Sequence, residues 1–144
     1  MKQIQNIPVM RALANEYPVD PIAEAERYVE NAHDLLKNKG KLDIDTQYYT
    51  DRKYVRMAGN TLWNGMLLIL DAVFDVKAHD DSRADIKDYR MAVGSRDKKL
   101  LSHINAGYDI MHLSMGYDGN GYKPMCMEGF RIANEIIDRC RNLL

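Results

Sequence analysis

Two carboxylate–imidazole pairs could do chemistry in this chain: Glu30-x-x-His33 and Asp109-x-x-His112. Three residues apart on a helix, each pair falls on adjacent turns of one face. Motifs of this form from facing helices hold metal ions in carboxylate-bridged bundles. Asp71 or Asp75 would then supply a further ligand. Such bundles also draw inward-facing glutamates from their other helices, and the helix around Asp71 offers only aspartates. A buried imidazole, however, requires only a hydrogen-bond partner. The helical phase therefore predicts His112 near the core with a protein partner, His33 at the core edge, no convergence of the four side chains and no resident cofactor. A third constellation is Arg96, Asp97 and His103. Arg96 and His103, seven residues apart on one predicted helix, stand nearly one above the other and point away from the apolar stripe.

These residues must be positioned by helices. The stretch Thr61–Phe74, with Leu62, Trp63, Met66, Leu67, Leu68, Ile69 and Leu70, has an apolar half that runs right round a helical wheel, and such a helix must be enclosed by others. It is broken by Asp71 and is shorter than the roughly 20 residues of a membrane span, so the enclosing medium is protein. Asp20-Pro21 starts a first helix that ends at Lys39 before Gly40, with Ile22, Ala25, Val29, Ala32 and Leu36 as its core stripe. A second helix, capped by Asp45 or Thr46, reaches Lys77, and its Gly59 and Gly65 suit the close approach of a neighbouring backbone. Ser82 and Asp85 resemble a capping box for a third helix over 83–93. A fourth follows over 96–115, separate from the third or continuous with it through a kink at Gly94. Gly116 to Lys123 is a loop, and Pro124 opens a fifth helix with Phe130, Ala133, Ile137, Cys140 and Leu144 inward. No strand is expected. The fold is predicted to be all-α, an up-and-down bundle of four to five helices over residues 21–144. A short N-terminal arm, residues 1–20, carries one helical piece from Pro8 to Glu16.

Composition narrows the function. The chain of 144 residues fits one domain, and 20 basic against 21 acidic residues leave a formal charge of -1, with no broad basic field for nucleic acid or an anionic membrane. The first residues show no secretion or lipidation pattern, which predicts a cytoplasmic protein. Cys126 and Cys140 fall on one helix about 21 Å apart along its axis, too far to bridge, and read as reduced, half-buried thiols. The Gly116–Gly121 loop lacks the Lys-Ser/Thr ending of a phosphate loop. Tyr48, Tyr49 and Tyr54 could stack on bases, although tyrosines at helical spacing usually straddle a core edge.

The order of features resembles the HEPN helical-bundle superfamily. The resemblance lies in Ala25-Glu26-Arg27-Tyr28-Val29-Glu30-Asn31-Ala32, in the Ala- and Leu-rich second helix, and in Arg96-Asp97 followed by His103. The run Ala106-Gly107-Tyr108-Asp109-Ile110-Met111-His112-Leu113 is also similar to an uncharacterised bacterial helical domain family, which implies no activity. Members of the superfamily accompany nucleotidyltransferases or act as metal-independent ribonucleases. The resemblance thus implies a nucleotidyltransferase or other protein partner, and RNA as substrate if the pair is catalytic; a homodimer is expected from the buried central helix and a semi-polar surface rich in Met and Tyr. His103 would take the ribose 2′-hydroxyl proton and Arg96 would stabilise the phosphorane charge, in a cleft shared across a dimer axis. Arg27 and His33 satisfy the same interval. The leading expectation is a non-catalytic binding or assembly module; the alternatives are the ribonuclease and the metal-binding bundle.

Overall fold

The computed structural model describes residues 20–80 and 82–144; the predicted arm and its helical piece lie outside them. Helix α1 spans Pro21–Lys39, with Asp20 accepting from the Ile22 N–H at 3.0 Å. Ala25, Ala32 and Leu36 are buried as the spacing predicts. Gly40 ends it in a right-handed conformation rather than the left-handed one common at helix ends. Its reason for being glycine is space, because a Cβ there would lie 2.7 Å from the Tyr49 ring.

Two strands then replace the predicted start of the second helix. β1, Leu42–Asp43, pairs antiparallel with β2, Tyr48–Tyr49. Asp43 accepts from the N–H groups of Asp45 and Thr46, so these residues form a turn instead of capping a helix. Strands of two residues are too short to show alternation, which is why none was expected. The loop after residue 117 docks on this hairpin, where Tyr49 N–H donates to Gly121 O at 2.8 Å and Tyr48 pairs with Tyr122.

Helix α2 spans Arg52–Phe74 and stops at Asp75, short of Lys77, because Asp75 takes a left-handed conformation with φ 49°. α3, Ile86–Gly94, and α4, Lys98–Gly107, are separate helices. A π-helical segment, Tyr108–Tyr117, continues α4 through Gly116, and α5 spans Lys123–Arg141. The capping box of α3 is Asp85 with Asp88, not Ser82 with Asp85; Ser82 bonds back to Asp80.

The all-α bundle is built around α2, which packs on α1, α3, α5 and the π-helical segment. Val55, Ala58, Leu62, Met66, Ile69 and Leu70 are fully buried. Enclosure is incomplete, contrary to expectation: Leu67 and Leu68 are half-buried, and Asn64 and Asp71 are exposed. Where α2 meets the π-helical segment, backbones touch. A Cβ on Gly59 would stand 2.6 Å from the Met111 carbonyl, the Gly116 nitrogen and the Met115 Cβ; at Gly65 it would stand 2.7 Å from the Tyr28 Cβ. Ala normally gains up to about 1 kcal/mol over Gly in a helix, but here two of the obstructing atoms are backbone. Gly59→Ala is expected to lower the unfolding free energy in urea by about 1–3 kcal/mol; a stabilised variant would contradict this packing.

Candidate functional site

The uncovered side of α2 carries Asn60, Asn64, Leu67 and Asp71, spaced by three and four so that they form one stripe. Facing it are the segment that leads into α3 and the first turn of that helix. Between them lie two hollows, of about 390 and 590 Å³, with Asn64, Leu67, Arg83, Ala84 and Tyr89 common to both, so that they form one groove.

The end of the groove at Asn60 is floored by rings. Tyr108 sits 5.8 Å from Trp63 and 5.2 Å from His112, and the Arg90 guanidinium lies 5.4 Å over the Tyr108 ring while donating to Asn105. His112 comes from the π-helical segment, whose wider turn shows in the Asp118 N–H to Leu113 carbonyl bond five residues back. This departure from α geometry changes the phase of every side chain after Tyr108. His112 packs against both Trp63 and Tyr108, and its buried Nδ1 has no hydrogen-bond partner among the described residues, in contrast to the protein partner predicted. Buried polar atoms left this way are uncommon, and π-helical turns occur often at functional sites.

At the other end Tyr89 donates its hydroxyl to Asp71 at 2.9 Å. Burial, together with the Asp71 carboxylate, pushes the Tyr89 hydroxyl well above its ordinary range. Partial burial also raises the Asp71 carboxyl, partly offset by the Tyr89 bond, with Asp75 adding to the rise.

Beside the groove, His79, Asp85 and Asp88 bring ligand atoms within 4.8 Å of one another, the one such group of three among the described residues. Its hydrogen bonds account for it structurally. Asp88 accepts from the Asp85 N–H at 2.9 Å and from the His79 ring at 3.0 Å, and Asp85 accepts from the Asp88 N–H at 3.1 Å. A cation there would face the positive end of α3.

The four candidate metal ligands lie apart, as the helical phase predicts: no three of Glu30, His33, Asp109 and His112 bring their donors together. Glu30, His33 and Asp109 are exposed, and the His33 ring rests 4.7 Å from that of Phe130. Asp71 and Asp75 line the groove instead. Arg96 and His103 are not stacked on one helix, because Arg96 lies in the turn before α4, with its guanidinium 4.8 Å over the Phe74 ring. Asp97 is the N-cap of α4 and pairs with Arg139 at 2.8 Å. Burial pushes its carboxyl up, but the bonds from Arg139 and the Leu100 N–H outweigh that and hold it below its ordinary value. Tyr48 and Tyr122 stack at 5.1 Å, whereas Tyr49 is buried. Cys126 and Cys140 are wholly rather than half buried, and burial pushes both thiols up to about 12. Sequence reasoning passed over Asn64, Arg83 and Tyr89; the only signal was Asn64 interrupting an otherwise apolar helix face.

The Asp88 carboxyl is held below its ordinary range chiefly by the Asp85 N–H, with burial opposing and His79 assisting. A lowered folded-state pKa stabilises the fold above the unfolded value of about 3.9 and loses that contribution as pH falls through the folded value. Asp88→Asn should therefore be less stable than the parent at neutral pH, with the difference shrinking in urea titrations below about pH 4. A pH-independent difference would contradict the ionic part of this cap.

No described helix is long and apolar enough to cross a membrane. Among curated proteins none matches the chain. A solved structure, a protein of unknown function from Dyadobacter fermentans, is similar at 38% identity with a TM-score of 0.76, over 86% of this chain and 96% of that one. Residues 20–142, which hold the whole groove, match the model of a family described as Domain of unknown function (DUF5618), and the chain belongs to that family.

Proposed function

We propose that the protein is a non-catalytic binding module of HEPN-like form, dimeric and cytoplasmic, that takes its ligand in the groove along α2. The observation that supports this reading most is the groove itself. A largely buried helix leaves one stripe uncovered, and polar groups converge there: the Asn64 amide, the Arg83 guanidinium and the Tyr89–Asp71 pair, with the His112 ring among the lining residues. A mostly formed cleft with apolar walls and a few convergent polar groups is the usual form of a ligand site. The ribonuclease alternative gains nothing from the positions of Arg96, Asp97 and His103. Two buried, unreactive thiols suit a reducing compartment. A nucleotidyltransferase partner rests on the HEPN resemblance alone, and a gene for one beside this gene would support it.

One observation favours a second reading, a divalent-cation site at His79, Asp85 and Asp88. It is the weaker of the two because those carboxylates already cap α3. A single NMR sample separates the readings. With a library of small polar fragments, the shifts should concentrate on Asn64, Arg83, Tyr89 and His112, and the tumbling time should be that of a dimer. Shifts scattered over the surface would remove the binding reading, and monomer tumbling the dimer. Zinc at micromolar concentration that moves His79 and Asp85 while fragments do nothing would put the cation site first.

A further inference from the structure

Two carboxylates stand where helix electrostatics disfavour them. Asp71 and Asp75 occupy the last turn and cap of α2, at the negative end of the helix dipole, and that last turn holds no basic residue. Lys77 reaches Asp75 at 3.2 Å, but Asp71 receives only the Tyr89 hydroxyl among the described residues. A local rule broken without structural gain marks a place shaped by something else. Both carboxylates line the groove beside Arg83, and with Lys77 taken by Asp75 the Asp71 carboxylate is left without a cationic partner among the described residues.

The rest of the groove has a repeat. Asn60 and Asn64 lie one turn apart, a rise of about 6 Å, close to the two-residue repeat of an extended chain at about 3.3 Å per residue. Asn64 makes no side-chain hydrogen bond within the described residues and is exposed, so its amide offers both a donor and an acceptor. Asn60 spends one N–H on the Gly116 carbonyl at 3.3 Å, which also fixes its orientation. A peptide backbone presents that complement of N–H and C=O on alternate residues. Half-buried Leu67, Leu68 and Ile86 supply apolar surface for alternate side chains. From Asn60 to Asp75 the helix runs about 22 Å, which an extended segment of about six or seven residues matches.

We propose that the groove binds an extended peptide segment of a partner protein, its backbone bonded by Asn60 and Asn64 and a lysine or arginine of the peptide held between Asp71 and Asp75. This rests on the groove being a binding site and names what occupies it. The carboxylates favour a basic ligand over an acidic one, and the spacing of Asn60 and Asn64 favours a peptide backbone as its carrier.

The test is a positional-scanning library of acetylated heptapeptide amides, read by fluorescence anisotropy against the full chain. Lysine or arginine should be selected at one end and apolar residues at alternate inner positions. Asn64→Ala should weaken the best peptide about five- to tenfold, the loss of one or two net hydrogen bonds. Asp71→Asn combined with Asp75→Asn should erase the basic preference while leaving the apolar one, and since asparagine still accepts from Tyr89 the fold is retained. No peptide binding, no basic preference, or affinity unchanged by Asn64→Ala would overturn the inference. Fragments that shift groove signals while no peptide binds would refute the peptide and leave the binding module standing.

Discussion

The close contact of α2 with its neighbours is the constraint on which the rest of this structure depends. A helix with Val55, Ala58, Leu62, Met66, Ile69 and Leu70 all fully buried must be reached from several sides at once. Glycines let that happen by removing side chains where elements meet, Gly59 against the Met111 carbonyl and Gly65 against the Tyr28 side chain. Such contact strengthens dispersion but leaves no slack, so the neighbouring elements must adopt the geometry that α2 imposes. The π-helical turn through Gly116 lies where that fit is tightest. Asn60 bonds the Gly116 carbonyl there, so the packing of α2 and the position of His112 are linked through one junction.

The same helix also makes the groove. Neighbours cover α2 on most sides, but Arg83, Ala84 and Tyr89 face the stripe of Asn64, Leu67 and Asp71 without filling the space over it. The polar residues of that stripe interrupt an apolar surface in register, where water or a ligand must meet them. Site and core are therefore two faces of one element, which keeps the groove rigid on its α2 side and leaves its other wall to a connection and the short helix α3.

Much of the fold was legible because it was written in helical periods. α1 was read with its N-cap, its end and its stripe, since Asp20-Pro21 and the spacing of Ala25, Ala32 and Leu36 are local signals. The hairpin at Leu42–Tyr49 was not, because its strands are too short for a pattern and Asp45 and Thr46 serve turns and caps equally well. The fourth helix was misread where it turns π-helical, since no residue of Tyr108–Tyr117 marks the wider turn locally. The candidate site was mostly illegible. Arg83 and Tyr89 meet Asp71 and Asn64 only through tertiary packing, whereas the Arg96–His103 pair looked joined because the break at Asp97, an N-cap within the presumed helix, went unread.

The central claim is that between Leu62 and Leu70 the helix α2 is enclosed except on the side of this stripe, and methyl relaxation in a soluble paramagnetic co-solvent tests it directly. Leu67 on the stripe and Leu68 beside it in the groove should broaden strongly, while Leu62 and Leu70, both fully buried on the same helix, should stay sharp. Equal shielding of all four leucines would mean that the groove is closed, and broadening of Leu62 or Leu70 would mean that α2 is not the enclosed centre of the bundle.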